Sequence, residues 1–326
     1  MNPLRICLER AGEIESVHEV HAVVVSRGEA ADVRGDADRR AFWRSSMKPF
    51  QAIPVVRGGV LEGLGLGEVE LAVVCASHHG LPVHIDAVGR ILAAAGASEG
   101  DLACGPHRPL DEDAARALDA VGRLPGRIHN NCSGKHAAMI ASALSTGCDV
   151  SGYHEFDHPV QANIREALTE WLGPNPASMH WGVDGCGVPT PRLSVGEMAE
   201  AYARFVRSDD PAAVAVATAM TGNPNMISGP TALSTAIMST TGGRVLAKEG
   251  AEGVFCLGGR VDGWAAAFKV SDGAMRALGP AIIHTLARRQ LLSELEQARL
   301  ERFACVTISN TRGEPVATVR AMNDDD

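Results

Sequence analysis

Short apolar strand patterns at both ends of the chain, with helical patterns between them, constrain this sequence most. Residues 18–28 run His-Glu-Val-His-Ala-Val-Val-Val-Ser-Arg-Gly and read as a strand entering a turn, with residues 31–35 as its antiparallel partner. From Gly243 onward, residues 245–248, 253–257 and 263–270 are apolar or alternating runs between glycines, the pattern of a meander, and residues 317–320 suit a last strand. Strands at the two ends imply one sheet layer built from both termini, with a helical region inserted. The expected class is therefore α/β of the α+β type. Residues 1–75 and 225–326 form the sheet region, and residues 76–224 form a mainly helical region that carries the cysteine motifs. A chain of 326 residues is long enough to hold two such parts.

Between the ends, residues 50–56 read as a short apolar helix closed by Gly58 and Gly59. Residues 68–76 carry Leu71-Ala72-Val73-Val74-Cys75-Ala76, an apolar run that suits either a helix or a buried strand. Helical periodicity covers residues 82–95, 112–121, 137–144, 160–171, 197–206, 211–220 and 274–295, with Gly173-Pro174-Asn175-Pro176 stopping the fourth of these. Residues 181–189 are rich in Gly and Pro and read as a loop without regular structure. Gly63-Leu64-Gly65-Leu66-Gly67 lacks the later Gly of a dinucleotide fingerprint and the Gly-Lys-Ser/Thr of a phosphate loop, so it reads as a turn.

The formal net charge of −9 and the absence of Lys/Arg runs argue against nucleic acid or an anionic membrane as the main partner. Nothing in the sequence approaches the ~18 uncharged apolar residues of a membrane span, and the first residues lack the apolar core of a signal peptide. The expected location is cytoplasmic. Eight cysteines in such a chain should be mostly reduced, which favours metal ligation over disulfides where cysteines pair. The acidic end, residues 323–326, reads as a solvated tail.

Arg44-Ser45-Ser46-Met47-Lys48-Pro49 places a serine three residues before a lysine, on one side of any helix that starts there. A Lys stripped of hydration loses part of its affinity for a proton and can then take one from a neighbouring hydroxyl. The plain alternative is a helix cap followed by a solvated Lys. Ser77 ends an apolar run and is followed by His78-His79-Gly80, either a cleft residue or a turn serine. Lys248-Glu249-Gly250 follows a strand pattern; together with a Ser-x-x-Lys it resembles the serine acyl-transfer enzymes of the penicillin-recognising type. Cys132 and Cys186 sit beside glycines and could share one zinc ion, with His129, His136 or Asp184 completing the set; otherwise they pack as small apolar side chains. Asn130, Asn131 and Asp184 suit recognition of amino and carboxylate groups, and equally suit turns.

Taken in order, residues 44–49, Cys75-Ala76-Ser77-His78, Asn131-Cys132-Ser133-Gly134-Lys135-His136, Asp184-Gly185-Cys186-Gly187-Val188-Pro189 and residues 248–253 resemble the L-asparaginase II family of the Rhizobium etli type. The resemblance implies a fold like that of serine β-lactamases and glutaminases, a homodimer, and hydrolysis of L-asparagine to L-aspartate and ammonia. It also implies two Ser–Lys tandems, Ser45 with Lys48 and Ser77 with Lys248. Cys132, Lys135 and Cys186 are the implied zinc ligands, and Arg44, Asn131, His136 and Asp184 the implied substrate contacts. On this reading Ser45 attacks the side-chain amide with Lys48 as base, and Ser77 relays a proton to the leaving ammonia; the alternative makes Ser77 the nucleophile. Zinc would order the loop that reads the amino acid rather than activate water. Two departures from the family pattern, after Ser77 and over residues 223–231, keep two other readings open: a binding or sensor protein for an amino-acid amide, and a hydrolase of another amide.

Overall fold

A computed structural model describes residues 1–172 and 179–322 of the chain. The helix stop at residues 173–176 and the acidic tail at 323–326 lie outside the described residues. The chain divides into two compact units: residues 1–46, 193–206 and 236–326 form a sheet unit, and residues 47–192 and 207–235 a helical unit. The first boundary falls after residue 46 and not near residue 75. The helix Lys48–Arg57 packs on Pro159–Leu172 and Pro211–Gly222 and so belongs with the helices.

The sheet unit holds an eight-stranded sheet. Its main path runs Cys305–Ser309, Pro315–Ala321, Leu4–Arg10, Glu13–Ser26, Ala265–Val270, Val254–Gly259, Val245–Gly250, and Glu29–Arg34 pairs off Glu13–Ser26. Neighbours along the path are antiparallel, and the two chain ends meet where Ile6 opposes Ala321 and Leu8 opposes Val319. The sheet layer from both termini is thus present, and the fold is mixed α/β. Val254–Gly259 is buried at every position, which explains its unbroken apolar sequence, whereas Cys305–Ser309 at one end of the path keeps an alternation with exposed residues. Helices Leu278–Arg288 and Glu294–Ala304 cover the strands nearest the termini.

Three local expectations change. The single helix over 274–295 is two helices: the first stops at Arg288, Gln290 takes a left-handed φ of 55°, and Ser293 with Glu296 forms a capping box that starts the second. Residues 181–189 are not irregular. Trp181–Val183 pairs antiparallel with Pro189–Ser194, and residues 184–188 are the turn of that hairpin. The ambiguous run at 68–76 is a helix, Glu68–Val74, whose Gly67 N–H donates to the Glu70 carboxylate at 3.0 Å.

In the helical unit this short helix delivers Ser77. Ser77 N–H donates to Ile227 O at 2.8 Å and His79 N–H to Ser228 O at 2.7 Å, so the segment after the helix is held like a strand against residues 227–228. Helix Ser133–Ser145 crosses close by. A Cβ on Gly134 would stand 2.1 Å from the Val73 carbonyl oxygen, so this approach requires glycine.

Candidate active site

Lys48, the first residue of helix Lys48–Arg57, is completely buried within the helical unit. Pro49 follows it without cost, because the first helical turn has no intrahelical acceptor for that N–H. The Lys48 amine sits on the Ala76 carbonyl and lies 3.0 Å from Ser77 Oγ. An amine and a hydroxyl at this distance, away from water, can pass a proton. Within the helical unit Ser77 is thus in contact with Lys48, the lysine that the resemblance assigns to Ser45.

His78 ties this serine to the cysteine motif. Its backbone N–H donates to Asn131 O at 3.1 Å, and its Nδ1 accepts from Gly80 N–H at 3.2 Å. Its Nε2 lies 2.8 Å from Ser133 Oγ, whose own hydrogen goes to Ile128 O, so Nε2 is the ring donor. His84 is arranged alike: Nδ1 accepts from Leu81 N–H and Nε2 donates to Asn225 O. Both rings are neutral by construction. Burial lowers their proton affinity, most strongly at His78; at His84 the hydrogen bond to Asn225 O opposes it in part. In the unfolded chain each would titrate near 6.5, so below that pH the unfolded state takes up protons that the folded state refuses. Stability should fall as the pH drops below about 6.5, by up to about 1.4 kcal/mol per pH unit for each histidine. The unfolding midpoint at pH 5.5 should lie below that at pH 7.5; an equal or higher midpoint at 5.5 contradicts this account.

The cysteine motifs converge in the same unit. Cys132 precedes helix Ser133–Ser145, Lys135 lies in its first turn, and Cys186 lies in the hairpin turn between residues 183 and 189; all three are buried. The Cys132 and Cys186 thiols hydrogen-bond each other. That bond, with burial, pushes Cys132 up to about 12, while the same bond and the Lys135 cation pull Cys186 well below the usual thiol range against its burial. Burial works against the Lys135 charge, but Cys186, Cys132 and Asp184 outweigh it and raise its proton affinity. The shared bond thus moves the two thiols in opposite directions, and with the Lys135 charge it leaves the lower proton affinity at Cys186. Asp184 is half-buried, and its carboxylate accepts from Gly185 N–H at 2.7 Å. Among the described residues no group of three or more His, Cys, Asp and Glu side chains gathers as metal ligands. His129 is not in the set; its Nδ1 accepts from Gly126 N–H within its own turn. Sequence reasoning also missed Cys104, buried within the field of Cys132 and Cys186 and pushed up to about 12 mainly by burial.

His136 follows Lys135 and is fully buried; its Nδ1 lies 2.6 Å from the Tyr153 hydroxyl. Asn131 is half-buried, and its carbonyl receives the His78 N–H.

In the sheet unit, Ser45 stands half-buried in the short turn Arg44–Met47, which Arg44 enters with a left-handed φ of 55°. Ser46 points the other way: it is buried, its Oγ donates to Lys248 O at 3.1 Å, and its carbonyl receives the Tyr202 hydroxyl at 2.7 Å. Gly250 permits this, since a Cβ there would come 3.0 Å from Ser46 Oγ. Lys248 is completely buried on strand Val245–Gly250, with Nζ 3.0 Å from Glu249 O and 3.2 Å from its carboxylate. Ser46 was not singled out from sequence, because one serine beside another gives no hint of which is tied down.

The site thus combines a serine hydroxyl against a buried lysine amine with a separate thiol–amine cluster, in a mixed α/β fold. The family model described as L-asparaginase II matches residues 6–321, and the chain belongs to that family. No curated protein matches it. Similar solved structures include a beta-lactamase from Mycobacterium bovis, 16% identical over 84% of this chain and 95% of that one, with a TM-score of 0.45. Another is a candidate beta-lactamase from Bacteroides dorei, 13% identical over 83% and 87%, with a TM-score of 0.38. Among the described residues no helix is long and apolar enough to cross a membrane.

Proposed function

We propose that this asparaginase-family hydrolase converts L-asparagine to L-aspartate and ammonia through a serine whose proton Lys48 handles. The observation that carries the reading is the buried Lys48–Ser77 contact of 3.0 Å. Ser45, three residues before Lys48 in the chain, attacks the side-chain amide carbon and gives its proton to the Lys48 amine. The C–N bond then breaks, and the proton passes through Ser77 to the departing ammonia, which leaves an aspartyl ester on Ser45. Water hydrolyses the ester, releasing aspartate and restoring the serine. Lys248 is a further candidate catalytic residue; Arg44, Asn131, His136 and Asp184 are the candidate substrate contacts.

A direct base contact is also what a nucleophile needs, and this favours Ser77 as a second reading for the attacking group. Ammonia release from L-asparagine, with L-glutamine in parallel, tests the whole. Ser45→Ala should lose release and fail to trap an acyl-enzyme, while Ser77→Ala should be slowed and still trap one. The reverse pattern makes Ser77 the nucleophile, and no release by the unaltered protein removes the amidohydrolase reading in favour of an amino-acid-amide binder.

Cys132, Lys135 and Cys186 fit zinc by the chemistry of their donors: two sulfurs and a nitrogen, already clustered and buried. Bound there, zinc would supply a fixed positive charge that orders the Asp184 turn for the substrate's polar ends. Cys186→Ser should lower the zinc retained after dialysis from about one ion per chain to well under half. Equal retention would take Cys186 out of the ligand set.

A further inference from the structure

We propose that Tyr153 is a positioning residue that locks His136 in its Nε2–H tautomer, so that His136 presents a fixed donor to an anionic oxygen of the ligand. The identity of the ligand, an amino acid whose carboxylate meets this donor, rests on the asparaginase reading; the tautomer does not.

The Tyr153 hydroxyl has two partners among the described residues. It accepts from Ala103 N–H at 2.8 Å, and it lies 2.6 Å from His136 Nδ1. A phenol carries one hydrogen, and the amide cannot receive it. If Nδ1 were protonated, the hydroxyl hydrogen would lose its acceptor, and Nε2 would be left as a buried acceptor with nothing to accept. If Nδ1 is bare, the hydroxyl donates to it, and only the Nε2–H remains unmatched. The second arrangement leaves fewer buried polar groups unsatisfied, so it prevails.

His136 is fully buried, and its Nε2 has no hydrogen-bond partner among the described residues. A fully buried donor whose tautomer is set by a dedicated relay, yet which donates to nothing in the chain, points to a ligand. The groups whose charges act on the ring include Lys135, Lys48 and His154, with Cys132 as the acidic member. Lys135 is the charged group that acts on the ring most, which favours an acceptor that carries negative charge. The rings of His136 and Tyr153 also meet edge-on at 5.6 Å, so replacing Tyr153 with Phe removes the hydroxyl and leaves the packing.

The test reads nitrogen resonances of the imidazole in the intact protein, with the His136 signals identified by their loss in His136→Asn. In the unaltered protein Nδ1 should be bare and Nε2 protonated, and added L-aspartate should shift the Nε2 signal. In Tyr153→Phe the two tautomers should mix, and KM for L-asparagine should rise about tenfold, the effect of one lost fixed donor, with a smaller change in kcat. A protonated Nδ1 in the unaltered protein overturns the proposal without need of any variant. So does a Tyr153→Phe protein that keeps the single tautomer, or an Nε2 signal that L-aspartate does not move. If L-aspartate moves the signal but asparagine releases no ammonia, the asparaginase reading fails and the positioning role of Tyr153 stands.

Discussion

Lys48→Met is expected to lower kcat/KM for L-asparagine by about 10³-fold while the protein stays folded. Removing a positioned proton acceptor typically costs 10²–10⁴-fold, and the Lys48 amine lies 3.0 Å from Ser77 Oγ. Met matches the reach of the lysine stem and fills the same buried volume, so the packing around Ala76 and Ser77 persists. The Ala76 carbonyl and the Ser77 hydroxyl lose a donor, about 1–3 kcal/mol each if nothing replaces it, but the chain is also relieved of a fully buried amine. The unfolding midpoint should therefore move little compared with the activity. Lys48→Arg should not restore turnover, because a guanidinium does not give up its proton in a protein. Activity of Lys48→Met within tenfold of the unaltered protein, measured as ammonia release, would remove Lys48 from the chemistry.

Much of this site was readable from local sequence, because its parts are short motifs with fixed spacing. Ser45 and Lys48, or Cys132 and Lys135, are brought near each other by three residues of backbone, whatever the rest of the chain does. The contact of Lys48 with Ser77 was not readable in the same way. The two are separated by 29 residues, and their meeting depends on where helix Lys48–Arg57 docks. The meeting of Cys132 with Cys186 was a guess from flanking glycines, and the hairpin that makes it possible was hidden. Pro189 and Pro191 weaken the strand signal of Pro189–Ser194, because proline cannot donate to a ladder.

Two misses carried usable signals. Leu4, Ile6 and Leu8 alternate with Arg5, Cys7 and Glu9, the period of a strand, and residues 4–10 are a strand that buries Cys7 as well as the three apolar positions. Ser293-x-x-Glu296 is a capping box, which should have split the long helix at residues 274–295. Tyr153 had no signal at all. A single tyrosine in a turn says nothing of its partners until the fold places Ala103 and His136 on either side of its hydroxyl.

Gly134→Ala should be the most damaging small substitution in the helical unit. In most helices Gly→Ala stabilises, by roughly 0.5–1 kcal/mol, because alanine has less backbone freedom to lose. Here the added methyl carbon would stand 2.1 Å from the Val73 carbonyl oxygen and 2.7 Å from its carbon, a backbone collision that no rotamer relieves. Helix Ser133–Ser145 must draw away from the end of Glu68–Val74, and the cost should be about 3 kcal/mol, the upper end for overpacking. For a chain of this size that is a fall of roughly 6–12 °C in the unfolding midpoint. The damage is also directed. The helix that moves carries Lys135 and His136, and the one it retreats from leads into Ser77, so the His78–Ser133 bond of 2.8 Å that spans the two is stretched. Activity should therefore fall well below the unaltered level even at temperatures where the variant is fully folded. Thermal unfolding and ammonia release, measured on one preparation at 20 °C, separate the two effects. An unchanged midpoint would show that the helices have room to part, and the close approach at Gly134 would then cease to explain why the motif places glycine between Cys132 and Lys135.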